Sequence, residues 1–206
     1  MKKLVLLTVA ALCLGAIALS AQEPPKVVHV FVALADNQNQ GIVPVPARLG
    51  NGDDAERNLY WGATGGIKTY SRRSEWTLLK SGQKPKSEAL ERCIFKHKTK
   101  NVYLVADAYR GIEIRQAMLD FLVSAAGDGT ESITIQPGTI ALNARGGSNL
   151  VVYIGHDGFM DFHLPLLPHK KNEARREAIV LAVPAKHTSP KRCTRQVLIR
   201  CCGQRT

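Results

Sequence analysis

The sequence predicts an α/β domain with a mostly parallel sheet. Three observations predict it: apolar, β-branched runs at 27–35, 150–154 and 178–183, an amphipathic helix at 111–126, and long connections between the runs. Strands buried on both faces read as continuous apolar runs, and parallel neighbours need crossovers of a dozen or more residues. A chain of 206 residues suits one domain of ordinary size. With 45% hydrophobic and 22% charged residues the composition is that of a globular protein, and the one long apolar run, at the N-terminus, excludes a multi-span membrane protein.

The elements follow in order. Lys2 and Lys3 precede an apolar run from Leu4 to Ala18, and Ala16, Ala18, Ser20 and Ala21 offer small residues for cleavage. This is the pattern of a signal peptide over 1–21, with a signal anchor as the alternative. The mature protein is expected to start near Gln22 and to be periplasmic or secreted from a bacterium, without a stable membrane span. The run 27–35, bounded by Pro24-Pro25 and Asp36-Asn37, is the first strand. A connection rich in glycine and proline follows, and Asp53 or Asp54 is expected to open a short helix, where a carboxylate suits the first turn. Residues 84–91 read as a second short helical or loop segment, and 101–106 as the second strand, ending at Asp107. In the helix 111–126, Ile112, Met118 or Ile114, Leu119, Leu122 and Val123 recur at three- and four-residue steps, and Gly127 stops it. A brief strand at 132–135 precedes the third apolar strand, 150–154, which runs into Gly155-His156-Asp157-Gly158. The fourth is 178–183.

The net charge of +11 suggests nucleic acid until it is divided along the chain. Eight of the 28 Lys and Arg lie in 1–21 and 185–206, which hold no acid, leaving 20 bases against 17 acids in the body. The excess belongs to the ends, so no nucleic-acid partner is expected. Cysteine is divided the same way: Cys13 in the leader, Cys193, Cys201 and Cys202 in the tail, and Cys93 alone in the body. One body cysteine is not a disulfide framework.

In open parallel sheets, ligand and catalytic groups gather at the carboxyl ends of strands. That rule selects Asp36-Asn37, Asp107 and His156-Asp157-Gly158. His156 is the best placed, as the first polar side chain after a buried strand and a candidate general base. Gly158 is the candidate oxyanion amide. His156, Asp157, Asp161, His163 and His169 are also metal-ligand types, but no established spacing is met, so no metal and no cofactor is expected. Tyr60, Trp61, Tyr70 and Trp76 could line a sugar or peptide groove, although single aromatics on loops more often pack as satellites of the core.

The order of these elements resembles the caspase, legumain and gingipain class of cysteine peptidases, and the stretch 27–182 resembles secreted bacterial caspase-like proteins, notably in Gly-Ile-Val-Pro-Val-Pro and Asn-Leu-Tyr-Trp-Gly. In that class a His-Gly turn after one strand supplies the base and an oxyanion amide, and a cysteine after the next strand supplies the nucleophile. Here Val-Val-Tyr-Ile-Gly-His156-Asp-Gly158 matches the first element, with one residue inserted, and the apolar run 178–182 matches the second. The resemblance implies a peptide or protein substrate. Where it puts the nucleophile, this chain has Val183, which carries no nucleophilic group.

The expectation is therefore an incomplete caspase-like sandwich over 22–184, inactive as written, with a basic, cysteine-containing, non-native or disordered tail over 185–206. Shifting the reading frame by permitted codon choices from Lys186 onward spells an amphipathic helix, a glycine stop and a new strand. A frameshift is one origin of the tail, and a genuine basic tail used for anchoring or solubility is the other. The alternative functions are an extracytoplasmic peptide- or glycan-binding module using the Tyr60–Trp61 loop, and a metal-dependent hydrolase around His156, Asp161 and His163.

Overall fold

The computed structural model describes residues 23–135, 140–158, 161–164, 168–172 and 174–183, and the backbone of 195–200. The expected signal peptide and four of the cysteines, Cys13, Cys193, Cys201 and Cys202, lie outside them.

The fold is α/β, built on one mixed sheet. Strand β1 (Lys26–Ala33) sits at its centre, paired in parallel with β4 (Val102–Tyr109) on one side and β7 (Leu150–His156) on the other. Strand β8 (Glu177–Val183) extends the parallel block beyond β7. Antiparallel strands flank it: β2 (Trp76–Gln83) and β3 (Ala89–His97) beside β4, and β9 (Arg195–Arg200) beside β8. The spatial order is β2-β3-β4-β1-β7-β8-β9. A second, two-stranded sheet pairs β5 (Glu131–Thr134) with β6 (Ala141–Ala144).

Helix α1 (Ile67–Arg73) precedes β2, and helix α2 (Ile114–Ala125) follows a 3-10 turn at Gly111–Glu113. α2 lays Ile114, Ala117, Met118 and Phe121 against Phe31, Val151 and Tyr153 on one face of the sheet. On the opposite face Val30, Val32, Leu34, Phe95 and Ala106 pack under Trp61. β1 is covered on both sides, which is why it reads as a continuous apolar run.

Several expectations are corrected. No helix starts at Asp53 or Asp54; residues 53–60 form turns. Asp54 accepts from the Arg57 amide and Nε, and the Asn58 side chain bonds both the amide and the carbonyl of Ala35, drawing the chain onto the end of β1. Residues 84–88 take the loop form of the two expected there, but 89–91 already belong to β3, and the β2–β3 hairpin and helix α1 are additions to the expected elements. Strand β4 continues two residues past Asp107. Residues 195–200, for which no strand was expected, form the edge strand β9.

Helix α2 ends one residue before the Ala126 C-cap, and Gly127 follows at φ 86°. A Cβ there would come within 2.5 Å of Arg176 Nη1. Both strain and contact oppose a side chain, so Gly127→Ala is expected to destabilise the fold by about 1–2 kcal/mol, read by urea titration.

Candidate functional site

The parallel block aligns the carboxyl ends of β1, β7 and β8. In the β7–β8 register His156 is the partner of Val183. Paired residues of neighbouring strands project to the same face, with strands about 4.8 Å apart. The last residue of β7 and the last of β8 are therefore side by side.

His156 is fully buried and held at three points. The Tyr153 hydroxyl donates to its carbonyl oxygen at 2.8 Å. Ring atom Nδ1 lies 3.0 Å from the Val183 carbonyl, which also accepts the Asp157 amide at 3.0 Å. Ring atom Nε2 lies 2.7 Å from Asp161 Oδ2. A carbonyl can only accept, and so can an ionised carboxylate, so both ring bonds form together when the imidazole carries two protons. Tyr153, buried beneath, has its phenol pushed well above the ordinary range by burial.

Asp161 is the partner that sequence reasoning offered only as a metal ligand. A turn closed on Gly158 presents it: the Asp161 and Phe162 amides both donate to the Gly158 carbonyl. Its side chain is one-third exposed and also accepts the Gly41 amide from the loop after β1. Gly158 is buried in this turn, so close to α2 that a Cβ would meet Phe162 at 2.6 Å and Met118 Sδ at 2.7 Å. Its smallness serves packing of the turn onto α2.

The other expected positions part from this site. Asp36 is buried, and its oxygens accept from the Gln38 and Asn39 amides and from Asn39 Nδ2, so it shapes the loop after β1. That loop borders a polar cavity of about 290 Å³ lined by Asp36, Asn37, Gly50, Asn51 and Asp53, among others. Asp107 lies inside β4, fully buried. Arg92 grips it with Nε and Nη2 at 2.6 and 2.7 Å and reaches Glu131 on β5. His29 Nε2 stands 3.1 Å from the same carboxylate, while its Nδ1 accepts the Arg145 amide at 2.9 Å, which puts the ring proton on Nε2. This network ties β1, β3, β4 and β5 together.

Burial alone would raise the Asp107 carboxyl, but the Arg92 hydrogen bonds and His29 outweigh it and hold it down at about 2. A carboxyl depressed in the fold contributes stability that is present above its unfolded value and lost as pH falls through its folded one. The loss is expected between about pH 4 and pH 2 and amounts to roughly 2 kcal/mol. Urea titrations at stepped pH should show a shallower acid limb in Asp107→Asn than in the unaltered chain.

Trp61 cannot present a face to a glycan, because it is fully buried and its Nε1 donates to Glu91 at 2.8 Å. The cavity of about 440 Å³ beside its loop is lined instead by Arg48, Leu49, Arg57, Leu59 and Thr64, among others. Among the described residues no three His, Cys, Asp or Glu side chains are grouped as a metal would require, and His156 and Asp161 meet as a pair. Cys93 is a buried free thiol, pushed up to about 12 mainly by burial, and so is unreactive at neutral pH. No described helix is long and apolar enough to cross a membrane.

Comparison of the chain with protein-family models, with curated proteins and with solved structures finds no match.

Proposed function

We propose that the chain is a secreted, caspase-like cysteine peptidase homologue that is catalytically inactive because its nucleophile position is Val183. One observation carries the reading: His156 and Val183 are register partners at the carboxyl ends of adjacent parallel strands, with His156 Nδ1 turned toward β8. A cysteine peptidase needs this juxtaposition, because its base must reach the thiol that the next strand delivers. A doubly protonated ring is also the form that balances a thiolate in such a pair. With valine at 183 the imidazole has no thiol to activate.

The order β4-β1-β7-β8, all parallel, supports the same reading, since it puts the base strand and the nucleophile strand side by side next to the central strand. The substrate class is peptide, and the compartment is outside the bacterial cytoplasm.

The test uses Val183→Cys in the full chain. Site-resolved alkylation of the introduced thiol should be fast at neutral pH and should slow about tenfold or more on His156→Ala. No peptide turnover is expected from this single change, because alkylation needs only the base and the thiol, whereas turnover also needs substrate bound in register and an oxyanion stabilised. An introduced thiol that ignores His156 would refute the juxtaposition.

A further inference from the structure

We infer that Asp161 is the positioning residue of this site, a carboxylate that holds His156 Nε2 so that Nδ1 is the nitrogen presented to position 183. The inference rests on the reading of His156 and position 183 as base and nucleophile sites, and it adds a third member that the resemblance does not supply.

The geometry is specific. The two ring nitrogens of a histidine have different tasks, and the bond made by one decides the tautomer and direction of the other. Here Nε2 is 2.7 Å from Asp161 Oδ2, and Nδ1 is 3.0 Å from the backbone of residue 183. The ring is fully buried while the carboxylate is one-third exposed, so Asp161 closes the outer side of the histidine. Asp161 is itself oriented from two directions. Its amide donates to the Gly158 carbonyl at 3.0 Å, and the Gly41 amide donates to its Oδ2 at 3.3 Å. Gly41 lies so close that a Cβ there would come within 2.8 Å of Asp161 Oδ1, which leaves the carboxylate little room to swing away.

The chemistry follows from that order. In the neutral ring Nε2 keeps the proton it shares with Asp161 and Nδ1 carries the lone pair; a thiol at position 183 would give its proton to that Nδ1, leaving a thiolate beside an imidazolium. The Nε2–H would donate to the Asp161 carboxylate, which stabilises the positive ring without taking its proton. The thiolate then attacks the carbon of an alkylating reagent such as iodoacetamide: the S–C bond forms, the C–I bond breaks, and iodide leaves with the electron pair. Asp161 touches none of the reacting atoms. It acts through His156.

The experiment measures alkylation of position 183 by iodoacetamide, resolved by peptide mass spectrometry so that the other cysteines do not interfere, from pH 5 to pH 9. The chains are Val183→Cys alone and Val183→Cys combined with Asp161→Asn, Asp161→Glu or His156→Ala, each checked for folding by circular dichroism. The expected result is a rate at pH 7 about tenfold lower with Asp161→Asn, a profile displaced to higher pH, and recovery with Asp161→Glu. A profile that depends on His156 but is unmoved by Asp161→Asn overturns the positioning role and leaves the base assignment standing. A profile that ignores His156 overturns both. If Asp161→Asn fails to fold, the ring ¹⁵N shifts of His156 in the unaltered chain decide: a hydrogen-bonded, protonated Nε2 supports the role, and a freely titrating Nε2 overturns it.

Discussion

Replacing Arg92 with methionine is expected to lower the stability of the fold by about 3–5 kcal/mol, because it strands a buried carboxylate. Asp107 is fully buried, and Arg92 supplies two of its three hydrogen bonds from charged or ring groups. Without the guanidinium, only His29 remains to face that charge, and Glu131 loses its anchor to the main sheet. For a domain of this size the melting temperature should fall by roughly 10 °C. The opposite sign is informative for the pair: replacing Arg92 and Asp107 together with apolar residues of similar volume should cost less than Arg92→Met alone, since no unpaired charge is left. Equal losses from the single and double variants would show that the network's contribution is packing and not charge compensation.

The same residues explain where the sequence was readable. Strands β1 and β7 and helix α2 declare themselves, because their burial is near-continuous or helically periodic and is achieved mainly by apolar side chains, and β8 is legible from its apolar run although only Ala178 in it is fully buried. Strand β3 does not. Its buried positions include Glu91 and Arg92, which pair with Trp61, Lys68 and Asp107 from distant parts of the chain. A polar residue whose partner is thirty residues away looks like a solvated one. Strand β2 is half exposed and carries a bulge, so its alternation is irregular. Strand β9 lies in a basic segment whose residues alternate in no clear pattern, and its pairing comes from the open edge of β8.

The candidate site was legible on the same terms. His156 stands out because a polar residue directly follows a buried strand, and the place of Val183 follows from the next strand. Asp161 was visible as a residue type but not as a partner. Its meeting with His156 depends on the Asp161 and Phe162 amides closing on the Gly158 carbonyl beside Met118 of α2, which no local pattern announces. Trp61 takes the core-packing reading of the two that a loop aromatic allows: it is the largest fully buried side chain of the described structure.

The central claim is that His156 is a base without a nucleophile, and catalysis tests it with the largest expected effect. Removing the nucleophile of a covalent mechanism costs several orders of magnitude in rate, because the base has nothing to activate. The 206-residue chain should therefore leave a broad peptide set uncleaved, and Cys93 should stay unlabelled because it is buried and its thiol is pushed up to about 12. The most direct measurement is paired labelling with a thiol-directed electrophile at neutral pH. It compares this chain with one rebuilt in the alternative frame and carrying cysteine at position 183. The account predicts slow, His156-independent labelling of the 206-residue chain, and fast labelling of the rebuilt chain that His156→Ala lowers. Rapid, His156-dependent labelling of Cys193 in the 206-residue chain would contradict it, and would make the protein a working cysteine enzyme with its nucleophile in the tail.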